Sequence, residues 1–400
     1  MSERPTVVQF GAGAIGRSFL GQIFNEAGYE VVFVDVDTDL VSELNRRGGY
    51  ELVIKDAGRA DQTIPVQGVR AVDGTDRDAV VREVERCALA ATAVGAAGLE
   101  KVARPLAEGL ARRADAGAAL NVILAENVRD AAGIMRRAMA EVLGSAETVD
   151  RFCGLVETSI GKMVPLVPAA DRERDPLLLY AEPYRTLIVD ATAFRAGIPQ
   201  VPGLKPVEHI GAYVDRKLFI HNLGHAATAY LGYAHDPNLK RVAEAMEIPQ
   251  IATPVSEAMG EAARALRAAY PGVFALSDLQ EHIEELIHRF RNRALGDTLF
   301  RVGRDLHRKL SRNDRIIGAM LLAETHGTAY GRIAEVAAAG FRFGATNENG
   351  APEPKDQEVR RRLQEEGLEP LLRELCGLDP NDPRDAVVAG AIREADARSR

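Results

Sequence analysis

Hydrophobic and polar positions alternate over the first two hundred residues in a way that predicts strands and helices in turn. Val7-Val8-Gln9-Phe10 is a short β-branched and aromatic run. Ile15, Phe19, Leu20, Ile23, Phe24 and Ala27 then recur at helical spacing, with one buried face. Gly28 stands where a helix closes. A second apolar run covers 31–34 and ends at Asp35. Together these predict a βαβ unit with parallel strands. The pattern continues with helices over 41–47, 79–86, 99–114 and 127–143 and buried strands over 89–94 and 121–125. Residues 50–54 and 63–66 read as a hairpin excursion. This is the order of a doubly wound sheet.

The pattern changes near residue 200. The Gly- and Pro-rich stretch 195–206, RAGIPQVPGLKP, reads as a linker. Beyond it helical periodicity dominates, over 208–233, 241–270, 278–292, 297–310, 314–340 and 356–376, with a polar loop at 347–355. The expectation is an α/β Rossmann-type domain over 1–203 followed by an all-α domain over 204–400.

Composition narrows the classes of function. A chain of 400 residues with 46% hydrophobic and 27% charged residues is globular, and its length suits two domains. A net charge of −8 makes nucleic acid an improbable partner. Cys87, Cys153 and Cys376 are odd in number and far apart, so neither a disulfide framework nor a CxxC metal pair can be built. No apolar run is long enough to span a membrane, and the first residues lack a secretory pattern. A cytoplasmic protein without nucleic-acid or membrane partners is expected.

The first chemical motif is Gly11-Ala12-Gly13-Ala14-Ile15-Gly16. It follows a strand and opens a helix, and Asp35 stands 19 residues after its last glycine. Gly11 permits a tight turn, Gly13 lets a pyrophosphate approach the backbone, and Gly16 lets helix and sheet pack. The helix N-terminus offers N–H groups and a positive dipole to phosphates. Asp35 suits the ribose diol of NAD and repels the 2′-phosphate of NADP. The competing reading is a glycine turn that binds nothing. Thr92-Ala93-Val94-Gly95 ends another strand, so Thr92, Val94 and Gly95 would line the cofactor or simply end a buried strand.

The second motif lies in 215–225, DRKLFIHNLGH. At about 100° per residue, with Lys217 at zero, His221 falls near 40°, His225 near 80° and Asn222 near 140°, with Gly224 and Thr228 close to Lys217. An amine, an amide, two imidazoles and a hydroxyl would share one face, with room left by Gly224. The alternative is an amphipathic helix whose polar side meets water. Eight of the fifty basic residues are lysine, and lysine, unlike arginine, can lose its proton when desolvated. His221 and His225 have i, i+4 metal-ligand spacing, but no HExxH motif or cysteine pair accompanies them. No metal is expected.

GAGAIGR at 11–17, Leu124-Ala125-Glu126-Asn127, the Lys217-x4-Asn222-x2-His225 helix, and Arg301-Val-Gly-Arg304 with Arg308-Lys309-Leu-Ser311-x-x-Asp314-Arg315 together resemble the polyol-specific long-chain dehydrogenases. The resemblance runs over nearly the whole chain. It implies metal-independent hydride transfer with NAD. It further implies Lys217 as general base and acid, Asn127 and Asn222 as an oxyanion hole, and His225 orienting a substrate hydroxyl. A base working near neutrality needs a depressed pKa, hence burial.

The chain departs from the family pattern in one stretch. Where the family has Val-Asp-Arg-Ile/Val-x-Pro, this chain has Ile160-Gly161-Lys162-Met163-Val164-Pro165. His221 also replaces a usually apolar or small residue. Lys162 is therefore a candidate substrate contact. Arg304, Arg308, Lys309 and Arg315 are candidates for a sugar phosphate, because a guanidinium bonds two oxygens at once. On one continuous helix the arginines of this region would share an arc, although Ser311-x-x-Asp314 reads as a helix restart. They would otherwise pair with Asp305 and Asp314. The expected reaction interconverts D-mannitol 1-phosphate and D-fructose 6-phosphate. A reductase of a non-phosphorylated ketose or hexuronate is the alternative, and a non-catalytic dinucleotide-binding regulator a more distant one.

Overall fold

The computed structural model describes residues 4–398. They form two compact units, one ending at Ile210 and the other starting at Gly211. The first is built on eleven strands: β1 (Thr6–Phe10), β2 (Glu30–Asp35), β3 (Gly49–Ile54), β4 (Gln62–Gln67), β5 (Val69–Asp73), β6 (Leu89–Thr92), β7 (Leu120–Leu124), β8 (Cys153–Ile160), β9 (Leu179–Ala181), β10 (Leu187–Asp190) and β11 (Leu204–Val207). Eight of them form one sheet in the order β11-β10-β8-β7-β6-β1-β2-β5, parallel except where β10 meets β8. The expected hairpin is β3 with β4, and β9 joins it to make a separate three-stranded sheet.

The period of two decides the layering. Val7, Val31 and Phe33 enter one core, and Val8, Phe10, Val32 and Val34 enter the core on the opposite face. Strands buried on both faces read as mainly apolar runs, and β1, β2, β6 and β7 do so, with Gln9 and Asn121 among the buried polar exceptions. The helix after β1 covers residues 14–26, but its stretch Gly16–Gly21 is wound as a π-helix.

The stretch 195–206 is not a free linker. The backbone N–H groups of Arg195 and Ala196 donate to Asn121 Oδ1, and Asn121 Nδ2 donates to the Gly197 carbonyl. β11 then pairs with β10. This last strand finishes the sheet edge before the chain enters the second unit at Gly211. The helix expected over 127–143 begins at Ala131, after a turn at 127–130 in which Asp130 takes φ +57°.

Among the described residues the second unit is helical apart from isolated bridges, such as that between Arg241 and Thr298. Its first helix runs over 210–235. Four expected helices are broken, among them that over 356–376, which divides into Pro354–Glu366 and Leu368–Glu374 around Gly367 at φ +82°. That over 241–270 restarts at Pro249 as Pro249–Ala269. That over 314–340 divides into Ile317–Thr325 and Gly331–Phe341 around Gly327 at φ +64°. That over 297–310 divides into Leu299–Gly303 and Leu306–Lys309, because Asp305 takes φ +74°. The helix Pro383–Arg398 was not expected. No helix of the described residues is long and apolar enough to cross a membrane.

The glycine turn gives a direct test of packing. A Cβ on Gly16 would lie 2.0 Å from the Gly11 carbonyl oxygen, whereas one on Gly13 would meet nothing within 4 Å. Gly16→Ala should destabilise the chain by about 1–3 kcal/mol, and Gly13→Ala by less than about 0.5 kcal/mol, measured by denaturant unfolding. Equal losses would contradict this packing.

Candidate active site

In the first unit the strand order reverses between β6 and β1, and that reversal marks the crevice at which doubly wound sheets bind dinucleotides. Gly11 turns the chain there at φ +87°, so close to the next strand that a Cβ would meet the Ala93 carbonyl oxygen at 2.4 Å. Gly13 and Ala14 are exposed at the start of the 14–26 helix, with Ile15 partly so. Arg17 is buried and braces the loop: it donates to the Ala12 carbonyl at 2.6 Å and to the Leu177 carbonyl at 2.9 Å. Asp35 Oδ2 accepts from Ala12 N at 2.7 Å, and Oδ1 from Asp37 N at 3.1 Å. The carboxylate is thus tied to the glycine turn while remaining partly exposed. Thr92 is fully buried, and its hydroxyl finds no partner. The N–H groups of Val94 and Gly95 donate to the Glu126 carboxylate at 2.9 and 2.8 Å.

In the second unit the helix over 210–235 does not keep α geometry. Lys217–Asn222 is a π-helix, closing hydrogen bonds over five residues rather than four. One residue is absorbed, so everything after it turns back by about 100° relative to a straight α-helix. Asn222 then lies about 40° from Lys217, His225 about −20°, Thr228 about −80° and Gly224 about −120°. Burial agrees with this count. Lys217, Asn222 and His225 each keep some exposure, while Gly224 and Thr228 are buried. A Cβ on Gly224 would meet Met259 Sδ at 2.7 Å, and Thr228 Oγ1 donates to the Gly224 carbonyl at 2.8 Å. The two residues expected to share the reactive face are therefore core contacts. His221 is also buried, its ring edge-on to His225 with centroids 5.1 Å apart. His225 stacks on Phe290 at 4.2 Å.

The surroundings of this face are cationic. Burial first, then the charges of Arg315 and Arg308, lower the Lys217 ammonium to about 8, against the pull of Asp314. Burial, followed by Arg289 and Arg301, holds His225 well below its ordinary value, so it is neutral at pH 7. Arg315 is buried, pairs with Asp314 at 2.6 Å, and donates to the Asn222 carbonyl at 3.4 Å. Lys309 is also buried. Its ammonium donates to the carbonyls of Val302 and Arg304 at 2.6 and 2.5 Å and, through burial and then Arg315 and Arg308, is lowered to about 7. Arg308 is half-exposed and pairs with Asp305 at 2.7 Å and Asp314 at 3.4 Å. Arg304 is half-exposed and reaches Glu353 only at 3.7 Å. Among the described residues no three His, Cys, Asp or Glu side chains come together as a metal site.

Residues 5–203 match the mannitol dehydrogenase Rossmann domain, and residues 209–374 match the mannitol dehydrogenase C-terminal domain. The chain belongs to the mannitol dehydrogenase family. It is 33% identical over 391 residues to mannitol-1-phosphate 5-dehydrogenase of Bacillus subtilis, covering 97% of this chain and 99% of that one. Identity to mannitol-1-phosphate 5-dehydrogenase of Brevibacillus brevis is 33% over 397 residues, covering 96% and 97%. The fold is also that of Pseudomonas fluorescens mannitol 2-dehydrogenase in its ternary complex with NAD and D-mannitol, with a TM-score of 0.75 at 17% identity over 98% of this chain and 91% of that one. D-Sorbitol dehydrogenase aligns with a TM-score of 0.76 at 18% identity over 99% and 94%. Membership makes this chain an NAD-dependent polyol dehydrogenase.

For a mannitol dehydrogenase the crevice of the first unit fits its cofactor. The open surface of Gly13 and the exposed start of the 14–26 helix would hold the pyrophosphate, and Asp35 the adenosine ribose. Three neighbours were not singled out from the sequence. Val36, 72% exposed directly after Asp35, offers an apolar wall next to the ribose acid. Phe290 backs His225. Glu126 holds the turn at 94–95; its only sequence signal is an acid immediately after a buried strand. Asn127 follows it, exposed, in the turn before Ala131–Leu143. Lys162 corrects an expectation. It is buried and donates to the carbonyls of Glu182 and Tyr184, each at 2.6 Å. Met163 N donates to the Glu182 carboxylate, so this stretch is stitched to 182–184 and Lys162 is a structural cation.

The electrostatics are testable apart from the reaction. Because Arg315 is the leading charge that lowers Lys217, Arg315→Met should raise the Lys217 pKa above 8. It also removes the nearer of the two cations that neutralise Asp314, leaving only Arg308 at 3.4 Å, which acts in the same direction. The pH dependence of amine labelling at Lys217, read by mass spectrometry, should move to higher pH. A shift to lower pH would contradict the assignment.

Proposed function

We propose that this enzyme interconverts D-mannitol 1-phosphate and D-fructose 6-phosphate in the cytoplasm, by hydride transfer that needs no metal. The observation that carries the mechanism is Lys217: an amine lowered to about 8, on one helix face with Asn222 and His225. Bound NAD supplies the hydride acceptor. In polyol oxidation the neutral Lys217 amine takes the hydroxyl proton as the carbon–hydrogen bond is lost. In ketose reduction its ammonium returns that proton to the forming alkoxide. Asn222 donates its amide N–H to the alkoxide oxygen, a preorganised stabilisation of developing charge, and Asn127 is the second amide that the family resemblance assigns to that role. Neutral His225, set by its stack on Phe290, orients a neighbouring hydroxyl.

The phosphate is assigned to the 304–315 segment, and the curated relatives' names support that choice. Arg304 and Arg308 suit it better than Lys309 and Arg315, because their guanidinium groups are half-exposed and the latter two are buried. One observation favours the second reading, a non-phosphorylated ketose or hexuronate: all four cations already have partners in the chain.

Lys217→Met should lower turnover by about 10²–10⁴-fold and leave NADH binding intact. A loss below tenfold would remove Lys217 from the mechanism. The wild-type oxidation rate should rise with pH through about 8, where the amine becomes neutral, and the reduction rate should fall over the same range. Arg304→Ala and Arg308→Ala should raise KM for fructose 6-phosphate and leave KM for fructose unchanged. If both sugars suffer alike, or wild type does not prefer the phosphate ester, the second reading replaces the first.

A further inference from the structure

The turn after β6 is held by a group that the reaction scheme leaves unused. Ala125 N donates to the Thr92 carbonyl at 2.9 Å, which locks the ends of β7 and β6 in register. The next side chain on β7's path, Glu126, is 9% exposed and places one oxygen on Val94 N and the other on Gly95 N. Gly95, at φ +75°, is where the helix Ala96–Asp115 starts. One carboxylate thus satisfies two successive N–H groups of a turn that would otherwise be orphan donors at a helix N-terminus. The turn is also a wall of the dinucleotide crevice. A Cβ on Gly11 would lie 2.4 Å from the Ala93 carbonyl oxygen and 3.2 Å from Val94 Cγ1.

The sheet order says which half of the dinucleotide meets this wall. β2, ending in Asp35, lies on one side of β1, and β6 and β7 lie on the other. The acid that ends β2 takes the adenosine ribose in such sheets. The β6 side is therefore left for the nicotinamide half. We propose that Glu126 is a positioning residue for the nicotinamide half of NAD, acting through the Val94–Gly95 turn. It occupies both N–H groups of that turn and so fixes the surface on which the ring half rests. The inference rests on the cofactor and not on the identity of the sugar.

The test separates the two halves of the ligand. Glu126→Gln keeps size, but its amide can accept from only one of the two N–H groups and turns its own NH2 toward the other. Calorimetric Kd values are measured on the full chain for NADH and for ADP, which carries the adenosine and diphosphate alone. NADH should bind about tenfold more weakly, about 1.4 kcal/mol spent on ordering the turn as the ligand arrives, and ADP should change by less than about twofold. Amide exchange at Val94 and Gly95 should quicken in the ligand-free variant. Equal weakening of both ligands would make Glu126 merely structural, and unchanged NADH binding would remove it altogether. Glu126→Asp, which keeps the charge and shortens the reach, should show the same split at smaller size if the Gln variant fails to fold. Wild-type chain that bound ADP but not NADH would overturn the cofactor assignment, and the proposal with it.

Discussion

A single extra residue in one helical turn sets the chemistry of the second unit. An α-helix over 210–235 would present Lys217 with Gly224 and Thr228 and swing Asn222 well round the cylinder. The π-turn at Lys217–Asn222 exchanges these sets: amine, amide and imidazole come to one face, and the small residues go to the core against Met259 and Met246. The wide turn makes poorer hydrogen bonds than the α-helix, so it persists only because packing over-determines it. Phe219, Ile220, His221 and Leu223 are all buried. Phe290 presses on the His225 ring from one side and His221 meets it edge-on.

The same face carries a second feature: an acidic chain concentrates cations around a buried amine. A net charge of −8 would by itself favour protonated amines. Around Lys217 the order is inverted locally: Arg315 and Arg308 add positive charge to a desolvated ammonium, and Asp314 only partly opposes them. Arg315 is held in place by Asp314 and by the Asn222 carbonyl. The pair thereby couples the electrostatics of the amine to the end of the π-turn. Lys309 is held by two carbonyls of the turn it closes, and that turn is further fixed from outside. Asp356 accepts from Asp305 N and Leu306 N at 2.9 and 2.8 Å, and Tyr230 donates to the Gly303 carbonyl at 3.0 Å.

What could be read from the chain followed the reach of each rule. The βαβ start was legible because its glycine spacing, strand alternation and Asp35 are all local. The all-helical second half was legible in class, since long apolar periodicity survives small errors of phase. The face of the 210–235 helix was only partly legible. Lys217, Asn222 and His225 do share a face, but a fixed 100° step cannot register an absorbed residue, so Gly224 and Thr228 were placed with them. Broken helices were missed for a related reason: Asp305 at φ +74° is stabilised by Asp356, fifty-one residues away. The stretch 195–206 has the composition of a linker, and only Asn121 on a distant strand makes it part of the sheet. Lys162 was misread because an unusual basic residue suggests a ligand, whereas two backbone carbonyls were waiting for it.

The first unit shows one device used twice. Asp35 and Glu126 each stand at the carboxyl end of a strand, and each accepts from backbone N–H of a glycine-containing turn: Ala12 for one, Val94 and Gly95 for the other. Turns that must lie close to a ligand cannot be filled with side chains, and glycine there leaves the backbone loose. A carboxylate at the end of a neighbouring strand restores order by accepting from the turn's N–H groups. The two differ in what they have left to offer. Asp35 remains partly exposed, so the same carboxylate can hold the turn and meet a ribose; Glu126 is buried with both oxygens engaged. The same bracing of a turn by a carboxylate thus occurs at two depths, one leaving the acid open to a ligand and the other not.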